Sequence, residues 1–150
     1  GTYGGDFEGT AARWCNNYLK LSANCQKRLT LENDDKASMW STKELYERVY
    51  SKVGVPIVFD YHHHRFCTGG LTEQEALELA VSTWPRNIKP VVHLSESKAL
   101  EYDDPKIRPQ AHSDYINTKA NTYEQTIDMM LECKHKELAL LKYRNIISSN

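Results

Sequence analysis

The stretch VPIVFDYHHH at residues 55–64 decides how the rest of the chain is read. A short apolar run ends in an acidic residue, three imidazoles follow, and a helical segment comes next. Three further runs share this form: RLTLEND at 28–34, KPVVHLSES at 89–97 and IDMMLECK at 127–134. Each passes from apolar or β-branched residues into polar ones, the pattern of a strand running into a loop.

Helical patterns separate the runs. Ahead of the first, DFEGTAARWCNNYLKLSANCQK (6–27) brings Ala12, Cys15, Tyr18 and Leu19 round at helical spacing. TKELYERVYSKVG (42–54) reads as a helix capped by Ser41 or Thr42, with Glu44 in its opening turn and Gly54 as its stop. LTEQEALELAVSTW (71–84) repeats the device, with Thr72 as cap, Glu75 completing a capping box and Pro85 ending it. The last run leads into HKELALLKYRNII (135–147), whose Leu138, Leu141 and Ile146 fall near one face. Residues 95–122 form a long polar stretch with Pro105 and Pro109, a length that in a compact domain marks a functional or disordered loop. Residues 118–125 are expected to supply a short helix before the final strand.

Strands alternating with helices of about 10 to 15 residues imply parallel pairing and an α/β fold, either an open sheet or a barrel. In such folds the active site gathers at the carboxyl ends of the strands, where side chains converge on one cavity. This sequence places ionisable residues there. Glu32 closes RLTLE, Asp60 closes VPIVFD with His63 three residues on, His93 closes KPVVH, and Glu132 closes IDMMLE. His112, in the long loop, is placed to fold back and join them. A buried carboxylate without a partner is costly, so several at one end of a sheet call for cations. Three carboxylates and three imidazoles without a thiol suit manganese, magnesium or zinc rather than a closed structural cysteine site. Six candidates exceed one tetrahedral site and point to two or three ions, the usual equipment for phosphodiester hydrolysis. Taken singly, a carboxylate after a strand is more often a helix cap; the recurrence on successive strands favours metal. In the run from His62 to His64 at most two rings can face one site.

Composition narrows the function further. With 40% hydrophobic and 26% charged residues, the chain has the makeup of one globular domain spanning residues 1–150. No apolar run approaches the roughly 20 residues of a membrane span, and no signal-peptide pattern opens the chain. It starts at Gly1 in a turn-like GTYGG stretch, as a processed or excised chain would. Cys15, Cys25, Cys67 and Cys133 form no C-x-x-C pair, so a reducing intracellular setting, cytoplasm or nucleus, is expected. Nineteen basic against twenty acidic side chains give a net charge of -1, so any contact with DNA must be local. Trp14, Trp40 and Trp84 are read as packing residues, Cys133 as facing helices opposite Glu132, and the Lys134, Lys136, Lys142 and Arg144 group as a solvated helix face.

The segments GTYGGD, RLTLENDD, VPIVFDYHHH, TWPRN through KPVVHLSES, QAHSDYI and DMMLECKHKELALL, in that order and spacing, resemble the UV damage endonuclease family. The resemblance covers nearly the whole chain. It implies a (β/α)8 TIM barrel, a cluster of divalent ions, usually manganese, and ATP-independent incision of DNA immediately 5′ of cyclobutane dimers and 6-4 photoproducts. Carried over position by position, it makes Glu32, Asp60, His63, His93, His112 and Glu132 metal ligands, with Glu32, Asp60, His93 and Glu132 as the catalytic set. Two departures stand out. The family has a lysine two residues before the histidine of KPVVH, where this chain has Val91; Lys89 shares that face one repeat deeper. A full barrel also needs about 250 residues, so 150 residues supply about four βα units, the C-terminal half. Expected partners are UV-damaged double-stranded DNA and either the missing N-terminal half or a second copy, because a half barrel leaves sheet edges open. Alternatives are a related abasic-site endonuclease or sugar isomerase, and a catalytically incomplete half-barrel that binds DNA or a partner.

Overall fold

The computed structural model describes residues 5–149, and the turn-like start at residues 1–4 lies outside them. The elements run α1 (Phe7–Tyr18), α2 (Ala23–Gln26), β1 (Leu31–Glu32), α3 (Thr42–Leu45), a π-helical turn (Tyr46–Tyr50), α4 (Ser51–Val53), β2 (Ile57–Asp60), α5 (Tyr61–His64), α6 (Glu73–Ser82), β3 (Val91–Leu94), α7 (Lys98–Tyr102), β4 (Asp128–Leu131) and α8 (Lys136–Ser148). The four strands form one sheet in the order β1-β2-β3-β4, every pair parallel. Parallel neighbours need crossover connections, and helices placed there bury the sheet. Ile57 through Asp60 are accordingly buried at every position. Four consecutive parallel βα units make up half of the eight in a (β/α)8 barrel. Among the described residues the outer edges of β1 and β4 have no neighbouring strand.

The helix signals in the sequence are read correctly where they are local. Ser41, not Thr42, caps α3: its hydroxyl accepts from Glu44 N–H while the Glu44 carboxylate accepts from Ser41 N–H at 2.9 Å. Thr72 and Glu75 form the same box at α6, worth about 1 kcal/mol per cap. Gly54 ends α4 at φ 69°, a left-handed position that any Cβ would strain. Gly69 is more constrained. At φ +60° a Cβ there would also come within 2.7 Å of Ser41 Cβ, so Gly69→Ala is expected to lower stability by about 2 kcal/mol. A thermal melt unchanged from wild type would show that the Ser41 cap shifts aside freely.

Packing faces are less local, and two of them differ from expectation. In α1 the buried stripe is Ala11, Cys15 and Tyr18, whereas Ala12 and Leu19 face water. In α8, Ala139 and Tyr143 are buried and Ile146 half-buried, while Leu138 and Leu141 are 52% and 56% exposed. Tyr143 turns the helix this way, because its hydroxyl accepts from Ala120 N–H at 3.2 Å. No helix forms over residues 118–125. There the Glu96 carboxylate accepts from the main-chain N–H groups of Asn117 and Thr118, at 3.0 and 2.9 Å, and Tyr123 and Glu124 take positive φ. Glu101 likewise accepts from Asp114 and Tyr115 N–H. Two carboxylates thus replace regular structure in ordering the long crossover.

The tryptophans pack as expected. Trp40 lies in the core edge-on to Phe7, Trp14 stacks on Tyr18, and Trp84 Nε1 donates to Ile57 O at 2.8 Å. Cys133 is buried in the core, and all four cysteines are free. Among the described residues no helix is long and apolar enough to cross a membrane.

Candidate metal centre

Because β1 to β4 are parallel and in register, their carboxyl ends lie side by side. Residue Asp60 of β2 is opposite His93 of β3, and His93 is opposite Met130 of β4, two residues before Glu132. With side chains alternating across a strand, His93 and Glu132 share a face. The result is a compact cluster: one ligand atom each from Glu32, Asp60, His93 and Glu132, all within 4.8 Å of one another. His93 Nδ1 stands 3.2 Å from Glu32 Oε1 and 3.3 Å from Glu132 Oε1.

His63 and His112, the other two predicted ligands, flank this group rather than enter it. His63 Nδ1 is 3.3 Å from Glu32 Oε1 and also 2.8 Å from the main-chain oxygen of Asn33. His112 Nδ1 is 3.0 Å from Glu132 O, and the two rings lie 6.1 Å apart. An Nδ1–H donated to a carbonyl leaves Nε2 bare, the tautomer a metal-ligating histidine needs. His112 reaches the site because Ser97 and His112 pair as an isolated antiparallel bridge across the long loop.

The buried atoms Glu32 Oε1, Asp60 Oδ2 and His93 Nδ1 have no hydrogen-bond partner. Three orphaned polar atoms from three strands, aimed at one point, are strongly unfavourable unless a cation joins them. Oxygen and imidazole donors without a thiol fit a divalent ion of the manganese, magnesium or zinc kind. Burial and neighbouring charge shift these groups in different directions. Burial pushes Asp60 up to about 6, with His63 opposing and Glu32 adding to the rise. Burial also pushes Glu32 upward, but the pull of His93 and its neighbours outweighs this and leaves Glu32 below its usual range. The facing Glu32 carboxylate in turn raises His93 against its burial.

Two residues outside the predicted ligand set support the site. Asn33, 1% exposed, hydrogen-bonds both main-chain groups of Asp60. His62 is fully buried behind the site, with Nε2 3.1 Å from Gln110 O and its pKa pushed down to about 4, chiefly by burial. Only their adjacency to Glu32 and His63 would have singled them out. The expected lysine position is filled by half-buried Val91. Lys89, deeper on the same face, is held 2.6 Å from Asp128 at the start of β4.

A model of the family described as UV-endonuclease UvdE matches residues 1–149. The chain belongs to the UvdE family. It is 36% identical over 160 residues to a UV DNA damage endonuclease of Bacillus cereus strain Q1, covering 99% of this chain and 47% of that protein. The like-named protein of Bacillus anthracis gives the same identity and coverage. A solved structure described as the crystal structure of SacUVDE superposes with a TM-score of 0.76 at 29% identity, covering 97% of this chain and 50% of the other. The chain therefore spans about half the length of these UvdE relatives, in keeping with four βα units rather than eight.

Proposed function

We propose that this chain contributes half of the active site of a UV damage DNA endonuclease, which hydrolyses the phosphodiester bond 5′ to ultraviolet photoproducts in double-stranded DNA. The observation that carries this reading is the cluster of Glu32, Asp60, His93 and Glu132, with three buried unpaired donor atoms, in a chain of the UvdE family. These four residues would hold divalent cations, with His63 and His112 extending the set to two or three ions, manganese first among them. When bound, such ions supply activation of water and neutralisation of charge on the phosphate. The chain's own part is to fix the ligands. Main-chain oxygens at residues 33 and 132 orient His63 and His112, and the sheet holds Glu32, Asp60 and His93 in register. A DNA repair role places the reaction inside the cell, with residues 1–150 acting as one partial barrel domain.

A second reading, a half-barrel that binds DNA without cutting it, is favoured by Val91 at the position of the family's lysine. An irradiated-plasmid nicking assay separates the two. With Mn2+, nicking is expected when the chain is mixed with the N-terminal half of the Bacillus cereus relative, and EDTA should abolish it. Binding of DNA without Mn2+ binding or nicking would instead favour the non-catalytic reading.

A further inference from the structure

The β1–β2 ladder ends at the pair Glu32 and Val58, so Asp60 lies two residues beyond the last β1 partner. At that point Asn33 takes over. Its Nδ2 donates to Asp60 O at 3.1 Å, and its Oδ1 accepts from Asp60 N–H at 2.8 Å. The amide side chain thereby does what the next peptide of the strand would have done. Its own main-chain oxygen accepts from His63 Nδ1 at 2.8 Å.

We propose that Asn33 is the positioning residue of the metal centre, setting the depth of Asp60 and the ring orientation of His63 while delivering Glu32 from the adjoining peptide. The inference rests on the metal reading given above and adds to it a residue that touches no ion. Two bonds from one planar amide fix Asp60 in rotation as well as in distance, which a single hydroxyl cannot do. Aspartate in its place keeps an acceptor for Asp60 N–H but sets an oxygen against Asp60 O. Glutamine is a methylene too long for a site with 1% exposure. Partners that orient metal ligands typically change affinity by about 10- to 100-fold when removed.

Thr83 provides the control. It is also buried, and its hydroxyl accepts from Ile57 N–H at 2.8 Å at the opposite end of the same strand. Mn2+ affinity of the 150-residue chain is measured by calorimetry for wild type, Asn33→Asp, Asn33→Ser and Thr83→Val, with melting temperature recorded alongside. Both Asn33 variants should bind Mn2+ at least about 10-fold more weakly, whereas Thr83→Val lowers the melting temperature yet keeps wild-type affinity. If one Asn33 variant does not fold, the other carries the comparison. Wild-type affinity in a folded Asn33 variant, or an equal loss in Thr83→Val, overturns the assignment while leaving the metal site standing. A wild-type chain that binds no Mn2+ removes the metal reading itself, and this proposal with it.

Discussion

Asp60→Asn is expected to make the metal-free protein more stable and the metal-binding protein far weaker. The carboxyl group is fully buried and its pKa is raised to about 6 from the ordinary 3.8. A folded-state pKa above the unfolded value means that the group favours folding below pH 3.8 and loses that contribution as pH rises through 6. At pH 8 the loss is complete, roughly 3 kcal/mol. Asparagine keeps the oxygen that accepts from His63 N–H, so the start of α5 is retained, and it carries no charge to desolvate. The melting temperature in EDTA at pH 8 should rise by roughly 5 °C or more. Mn2+ affinity should fall by at least about 100-fold, the upper range for mere outer partners. Calorimetric titration and thermal melts on one preparation check both. A lower metal-free melting temperature, or unchanged affinity, would show that Asp60 is a structural cap and not a ligand.

The second large effect concerns acid. His62 is buried, and its pKa is pushed down to about 4 from 6.5. A depressed folded-state value means that stability is fully present above pH 6.5 and is lost as pH falls toward 4, by roughly 3 kcal/mol. Asp60 acts with the opposite sign in nearly the same window, between pH 6 and 3.8. The two contributions oppose each other in the wild type, so each masks part of the other. Each single variant should unmask the other. In EDTA, Asp60→Asn should lose stability steeply between pH 6.5 and 4.5, while His62→Phe should gain it. Loss of the hydrogen bond to Gln110 O shifts the His62→Phe curve by a constant, so slope rather than level is the readout. Urea midpoints that follow parallel pH curves in both variants would contradict the opposition.

Much of the site was legible because it depends on short-range pattern. A strand that ends in an ionisable residue puts that residue at the rim, so Glu32, Asp60, His93 and Glu132 could be placed together from four apolar runs. The parallel α/β fold followed from the same alternation, and the caps at Ser41 and Thr72 from three-residue spacing. What escaped depends on distant partners. The buried side of α8 is set by the Tyr143 hydroxyl meeting Ala120 N–H, so Leu138 and Leu141 turn outward despite their spacing. The expected helix over residues 118–125 is replaced because Glu96, more than twenty residues earlier, takes its leading donors. Asn33 escaped because a buried amide looks like any loop asparagine until Asp60 is beside it.

The sheet delivers each chelating group from a separate strand, all at one rim, while the turns at the opposite rim carry none of them. Chain length is therefore free to vary on that far side. Extra residues spliced between Pro85 and Lys89, ahead of β3, would lengthen a surface turn and leave the cluster undisturbed. The same insertion between Leu94 and Ser97, just past His93, would break the bridge that carries His112 inward. Tolerance to insertion should alternate along the molecule, forgiving before each strand and strict after it.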